Sequence, residues 1–289
     1  MDQLFLTTDG MATLTHAGLM VHSALEQMFL SWAAANGAMN VRYPALIRVL
    51  DLDCLNYFRN FPHLLYCACS LDAAVHSSHG RRKHDITAVS RSDLGDGEFC
   101  LPPAACYNVY LGLRGQDLTS PQYVTTVATC FRNEDEYDGL QRLRAFSLRE
   151  MVCVGTAEAV KDHLARYKRL VLEFLDCLRL PIKVETASDP FFDKQGKAAR
   201  ASRIMPTKEE ILYRGKLAIG SVNYHRRFFG ERCRISMNGD TAHTGCVGFG
   251  LERWVHALAD HYGSDAEAIL GALKSAQLKL GSASRQEAL

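Results

Sequence analysis

The sequence has almost no surplus of either charge. Its 33 lysines and arginines meet 32 aspartates and glutamates, for a formal net charge of +1. A surface that wraps a polyanion carries a clear basic excess, so the expectation is against nucleic acid as the main partner. Long apolar runs are also missing: none reaches the ~18–20 residues needed to span a bilayer. The opening segment, residues 1–10, has neither the basic region nor the apolar stretch of a secretory leader. A cytoplasmic protein without a membrane partner is expected. No internal repeat and no heptad run occurs, which argues against repeat arrays and coiled coils.

What is present is core-forming material. Of the 289 residues 47% are hydrophobic, enough for one large domain or two small ones. Residues 1–281 are read as one catalytic domain, and 282–289 as a polar, frayed tail. In a cytoplasmic protein the ten cysteines are thiols, metal ligands or core residues and not a disulfide framework. Most lie in apolar surroundings, as in Leu65-Tyr66-Cys67-Ala68-Cys69, and are expected to be small buried hydrophobes.

Periodicity and breakers predict a helix from Thr15 to Asn36 stopped by Gly37, and an extended segment around Val41 to Leu50 containing Pro44. Residues 77–98 are polar, carry Arg81-Arg82-Lys83 and read as a mobile loop. Tyr123 to Phe131 suits a strand. Ala157 to Leu178 is the clearest helix, with Val160, Leu164, Tyr167, Val171, Phe174 and Leu178 on one face and Pro181 beyond its end. Gly215 to Ile235 reads as two short strands, and Gly245 to Tyr262 as a Gly-rich strand feeding a helix. Strands mixed with helices without regular βαβ alternation point to an α+β fold with an antiparallel sheet.

Two segments carry chemistry. Residues 129–150 read as a long hairpin around Gly139. Alternation puts Cys130, Arg132 and Glu134 on one face, and Arg144, Phe146 and Glu150 on one face of the partner strand. Pairing 132 with 148 sets Cys130 opposite Glu150 and Glu134 opposite Phe146. Arg149 and Cys153 have the other parity. The second segment, His243 to Arg253, joins a Gly-rich strand, which admits close backbone approach, to an arginine suited to a polyphosphate. For His225, His243 and His256 surface or core packing is expected.

Together the segments resemble motifs 2 and 3 of the class II aminoacyl-tRNA synthetases. Phe-Arg-x-Glu is Phe131 to Glu134, Gly-Leu-x-Arg is Gly139 to Arg142, the closing segment is Arg144 to Glu150, and Gly-x-Gly-x-Glu-Arg is Gly248 to Arg253. Pro44 is the candidate for motif 1. The resemblance implies a class II synthetase-like antiparallel sheet flanked by helices, with ATP and magnesium as cofactors. It puts Arg132 on the α-phosphate, Glu134 and Phe146 on adenine, and Arg144 and Arg253 on the outer phosphates. Glu252 joins this ATP-binding set, and Arg132 and Arg253 are the catalytic residues. Ser221-Val222-Asn223-Tyr224-His225 looks like the Ser-x-Asn segment of the seryl branch, so Ser221, Asn223 and Ala105 are assigned to the substrate. Either Glu209 or Glu210 replaces a missing magnesium carboxylate, or the phosphates themselves hold the magnesium.

The pattern departs from ordinary seryl synthetases. The coiled-coil arm is missing, and Leu101 to Cys106 stands where a Thr-x-Glu segment seats the amino acid. Cys130, Glu150 and Cys246 form a donor set suited to zinc. These departures resemble the amino acid:[carrier protein] ligases, which are similar to the zinc-dependent, methanogen-type seryl core. That resemblance implies activation of glycine or alanine to an adenylate, transfer to a carrier protein's phosphopantetheine thiol, and a homodimer; tRNA is not expected. Arg81-Arg82-Lys83, or Lys161, Arg166, Lys168 and Arg169, are candidate docks for an acidic carrier, although a solvated charged face is the expectation for either patch alone. The competing readings are a minimal tRNA-charging synthetase and a non-catalytic amino-acid sensor.

Overall fold

The computed structural model describes residues 3–82 and 84–286. A hairpin, β1 (Phe5–Thr8) and β2 (Met11–Leu14), leads into helix α1 (His16–Ala35). Thr15 Oγ1 caps the helix by accepting from the Gly18 N–H at 3.3 Å. At its far end Gly37 takes φ +73°, and the Ala38 N–H reaches back to the Ala33 carbonyl at 3.0 Å. That left-handed turn favours glycine and stops the helix where the sequence predicts.

After β3 (Met39–Asn40) comes a region of short helices and two-residue strands that ends in α2 (Tyr107–Gly112). Then follow β4 (Gln122–Phe131), β5 (Ala145–Gly155), α3 (Ala157–Cys177), β6 (Ile182–Ala187), α4 (Lys197–Ile204), β7 (Lys208–Tyr213), β8 (Leu217–Arg226), α5 (Phe228–Cys233), β9 (His243–Gly250), α6 (Leu251–Tyr262) and α7 (Ala266–Gln286). Seven strands pair in the order β6-β7-β8-β9-β5-β4-β3, all antiparallel except β3 with β4. The expected class, an antiparallel sheet flanked by helices, is the one that forms.

Strand parity sorts the two faces. Met151, Cys153, Val247 and Phe249 pack with α1, α3, α6 and α7 in the main core. Phe29 stacks on Phe249 with centroids 4.3 Å apart, and Trp32, Phe174 and Trp254 close the cluster edge-on. Arg149 points to this face, fully buried, and pairs with Glu26 of α1. Its Nη1 also donates to Asn40 Oδ1 and Thr125 Oγ1, both at 3.1 Å, which keeps a buried charge satisfied. On the opposite face Val124, Val152, Val154 and Cys246 meet Val109, Tyr110 and Phe229.

Several expectations change. Of 41–50 only Ile47–Arg48 forms a strand, and a helix starts at Val49. The region 77–98 holds a helix, His76–Gly80, and His79 pairs with Asp93 at 2.9 Å; Lys83 of the basic cluster lies outside the described residues. In 215–235 the second strand is replaced by helix α5, because Phe229 stacks on Tyr110 at 4.1 Å. The helix α7 continues through 282–286, and 287–289 lie outside the described residues. The hairpin register also differs. Cys130 pairs with Phe146 and Thr126 with Glu150, and the Arg132 N–H donates to the Arg144 carbonyl at 3.0 Å. Residue 132 meets 144 and not 148, so the loop it closes is shorter than expected; within it Leu140 and Leu143 are buried and Asp138 bridges Arg142. The displacement is four residues. An even shift preserves every side-chain face, so the parity argument survives while the pairing does not.

Candidate active site

The second face of the sheet carries a cavity of about 480 Å³. Its floor is Cys106, Glu150 and Cys246, whose ligand atoms lie within 4.8 Å of one another, all buried. Glu150 comes from β5 and Cys246 from the adjacent β9. Cys106 sits at the N-cap position of α2. The Cys106 N–H donates to Glu150 Oε2, and the Cys246 thiol donates to Glu150 Oε1 at 3.3 Å.

Three acidic groups buried together resist charging. Burial raises the Glu150 carboxyl above its ordinary range. The hydrogen bond with Cys246, burial and the Glu150 charge raise the Cys106 thiol. For Cys246 the bond with Cys106 favours the thiolate, but burial and the Glu150 charge outweigh it. Two soft sulfurs and one carboxylate on a buried floor, short of positive charge, fit a zinc ion with a fourth position free for a ligand.

Cys130 is not part of this set. It is fully buried, and its thiol faces the Ala128 carbonyl at 3.9 Å, opposite Phe146. The displaced register accounts for the correction. The third donor comes instead from the segment in which a substrate-seating carboxylate was missed. Cys106 is outside the hairpin, so strand parity had no access to it.

Ser221 and Asn223 of β8 line the cavity. Asn223 Nδ2 donates to Ser221 Oγ at 3.1 Å and to Cys246 Sγ at 3.6 Å. Ala105 is buried and does not line it, although Ala104 and Cys106 on either side do. His225 also lines the cavity, 3.9 Å from Cys246 Sγ and 3.3 Å from the Tyr110 hydroxyl. Burial lowers its pKa to about 4, so it is neutral. Its alternation with Ser221 and Asn223 in β8 was a usable signal.

On the walls, Arg132 lies over the Phe146 ring at 5.1 Å, and its side chain donates to the Pro103 carbonyl at 3.4 Å. Glu134 lines the same wall. Arg253 is fixed by donating to the carbonyls of Gln141 at 2.8 Å and Ala218 at 3.0 Å; burial lowers its pKa to about 10. Arg144 is not among the lining residues. It donates to the Asp9 carbonyl at 2.8 Å and to the Tyr66 hydroxyl, and lies 4.1 Å over the Tyr137 ring. Arg142, two residues earlier, lines the cavity in its place. Glu252 reaches the wall, but both its oxygens accept from the Ser147 N–H at 2.8 and 2.9 Å, which fixes the residue next to Phe146. Glu210 lines the cavity and pairs with Lys208 at 2.9 Å, while Glu209 pairs with Lys168 of α3 at 2.7 Å.

A sheet of this order with such a cavity defines a class II synthetase core, and the comparisons with known proteins agree. The family model for the class II core domain of tRNA synthetases (G, H, P, S and T) matches residues 89–262. Amino acid–[acyl-carrier-protein] ligase 1 of Bradyrhizobium diazoefficiens is 32% identical, over 92% of this chain and 85% of that protein. The type-2 serine–tRNA ligase of Methanocaldococcus jannaschii is 26% identical over 83% of this chain, which spans 50% of that enzyme. Among solved structures, that of A. aeolicus tRNASec in complex with M. kandleri SerRS superposes with a TM-score of 0.79 at 20% identity, covering 93% of this chain and 57% of that one. The chain belongs to the class II tRNA synthetase core family and, within it, to the amino acid–[acyl-carrier-protein] ligases; it is an ATP-dependent ligase. Among the described residues no helix is long and apolar enough to cross a membrane.

Proposed function

We propose that the protein activates a small amino acid, glycine or alanine, with ATP and passes it to the phosphopantetheine thiol of a carrier protein. The observation that carries this reading is the Cys106–Glu150–Cys246 floor set beneath a wall of Arg132, Glu134, Arg142, Phe146 and Arg253. Phe146 stacks adenine and Glu134 accepts from its amino group. Arg132 holds the α-phosphate, and Arg142 and Arg253 hold the outer phosphates. Glu210 takes the place of the magnesium carboxylate. Cys106, Glu150 and Cys246 would hold zinc, which supplies a Lewis acid for the substrate's amine. Ser221 and Asn223 border the same floor.

The substrate carboxylate attacks the α-phosphorus, the bond to the β-phosphate breaks, and pyrophosphate leaves. The carboxylate is already ionised, so the residues here need only neutralise charge and align the attack. The carrier's thiolate then attacks the acyl carbon and expels AMP, leaving a thioester. Dimerisation through the region of Pro44 belongs to the same reading.

Amino-acid-dependent exchange of pyrophosphate into ATP, measured with all twenty amino acids, tests the activation step. Exchange with glycine or alanine supports it. No exchange with any amino acid would favour the sensor reading, and exchange only with serine would favour a seryl synthetase.

A further inference from the structure

Away from the cavity, three cysteines gather on the small three-stranded sheet in which Ile47–Arg48 and Cys67–Ala68 flank Phe99–Cys100. Cys67 and Cys100 are directly opposed across an antiparallel pair, with sulfurs 4.0 Å apart. Opposed residues of such a pair have Cα atoms ~4.5–5.5 Å apart, inside the ~4.4–6.8 Å range that a disulfide spans. Cys67 and Cys69 are exposed, and Cys100 is buried. The Leu101 N–H donates to the Tyr66 carbonyl at 3.0 Å, so the two chains are already clamped beside the sulfurs.

We propose that Cys67 and Cys100 form a reversible thiol–disulfide site that responds to low-molecular-weight disulfides. The thiolate of exposed Cys67 attacks such a disulfide, breaks its S–S bond and releases one thiol, leaving a mixed disulfide on Cys67. Cys100 then attacks the Cys67 sulfur, loses its proton to solvent and expels the second thiol. Two protein thiols are oxidised and one external disulfide is reduced to two thiols. Burial pushes the Cys100 thiol up to about 12, and the Cys67 charge adds to it. The first step removes that charge and so prepares the second. The site adjoins the catalytic machinery: Leu101 begins the segment that runs through Pro103, the acceptor for Arg132, to Cys106.

The test is exposure of the zinc-loaded, full-length protein to oxidised glutathione, followed by alkylation and peptide mass mapping. The expected product is a peptide pair linked through Cys67 and Cys100, lighter by two hydrogens, reversed by dithiothreitol and formed faster as pH rises. Cys67→Ser, at an exposed position, should abolish the link and leave pyrophosphate exchange unchanged. Cys67 trapped as the glutathione adduct without closure would overturn the proposal. So would a Cys67–Cys69 link, or a first link between Cys106 and Cys246.

Discussion

At the scale of single residues the account turns on which cysteine completes the floor. Hairpin parity put Glu150 on the cavity face, because a sheet face depends only on odd or even spacing; Cys246 was named from its place in the Gly-rich segment. Parity chose Cys130 because that was the thiol within reach of the argument. Cys106 is delivered by the turn into α2, a tertiary approach that no periodicity announces. Zinc content by mass spectrometry separates the two: Cys106→Ala should fall from roughly one zinc per chain to background, while Cys130→Ala keeps its metal. A second contrast concerns phosphate binding. Removing one well-placed charge donor costs ~10²–10³ in rate, so Arg142→Ala should lose that much exchange activity. Arg144→Ala, held by Asp9 and Tyr66, should lose under about tenfold by the same standard. Equal losses would return Arg144 to the site. Gly248 gives a third. A β-carbon there would rest 3.4 Å from Glu150 and 3.5 Å from Ser221, ordinary contact distances that fill the floor without breaking the sheet. Gly248→Ala should fold with a stability change within about 1 kcal/mol and raise the KM for the amino acid more than that for ATP.

At the scale of elements, α1, α3 and the long strands were legible because each has a clear period or a marked end: Thr15 and Gly37 for α1, the apolar stripe and Pro181 for α3. Strand β9 and helix α6 followed from the Gly-rich run into an amphipathic helix. What failed was short or context-bound. The helix α5 forms because Phe229 finds Tyr110, a contact far apart in sequence. The hairpin register depended on how many tip residues Leu140 and Leu143 pull into the core. Helix α3 also carries a titratable marker. His163 is buried against the sheet, 3.2 Å from the Met151 carbonyl, and burial lowers its pKa to about 4. Between its unfolded value near 6.5 and about 4, the unfolded chain binds the proton and the folded chain does not. Its contribution is therefore unfavourable to folding progressively as pH falls through that window, and nil above it. Denaturant midpoints at pH 7 and pH 5 should diverge less for His163→Phe than for the natural chain; an identical divergence would contradict this assignment.

At the scale of the molecule, the fold divides labour between two faces. One face buries aromatic mass and the Arg149–Glu26 pair against helices, which makes the sheet a rigid platform. The other face is open in part for the cavity, so residues from β5, β8, β9 and the hairpin tip after β4 converge there without any one segment containing the site. That is why two separated motifs could be recognised in the sequence while the full floor could not. The near-zero net charge remains compatible with a protein acceptor, but charge alone does not choose it.

The acceptor is the decisive point. The measurement is transfer of radiolabelled glycine or alanine, with ATP, to three acceptors side by side: carrier protein bearing phosphopantetheine, the same carrier without it, and bulk tRNA. The account predicts hydroxylamine-labile label on the phosphopantetheinylated carrier alone. Label on tRNA, with none on the carrier, would contradict it.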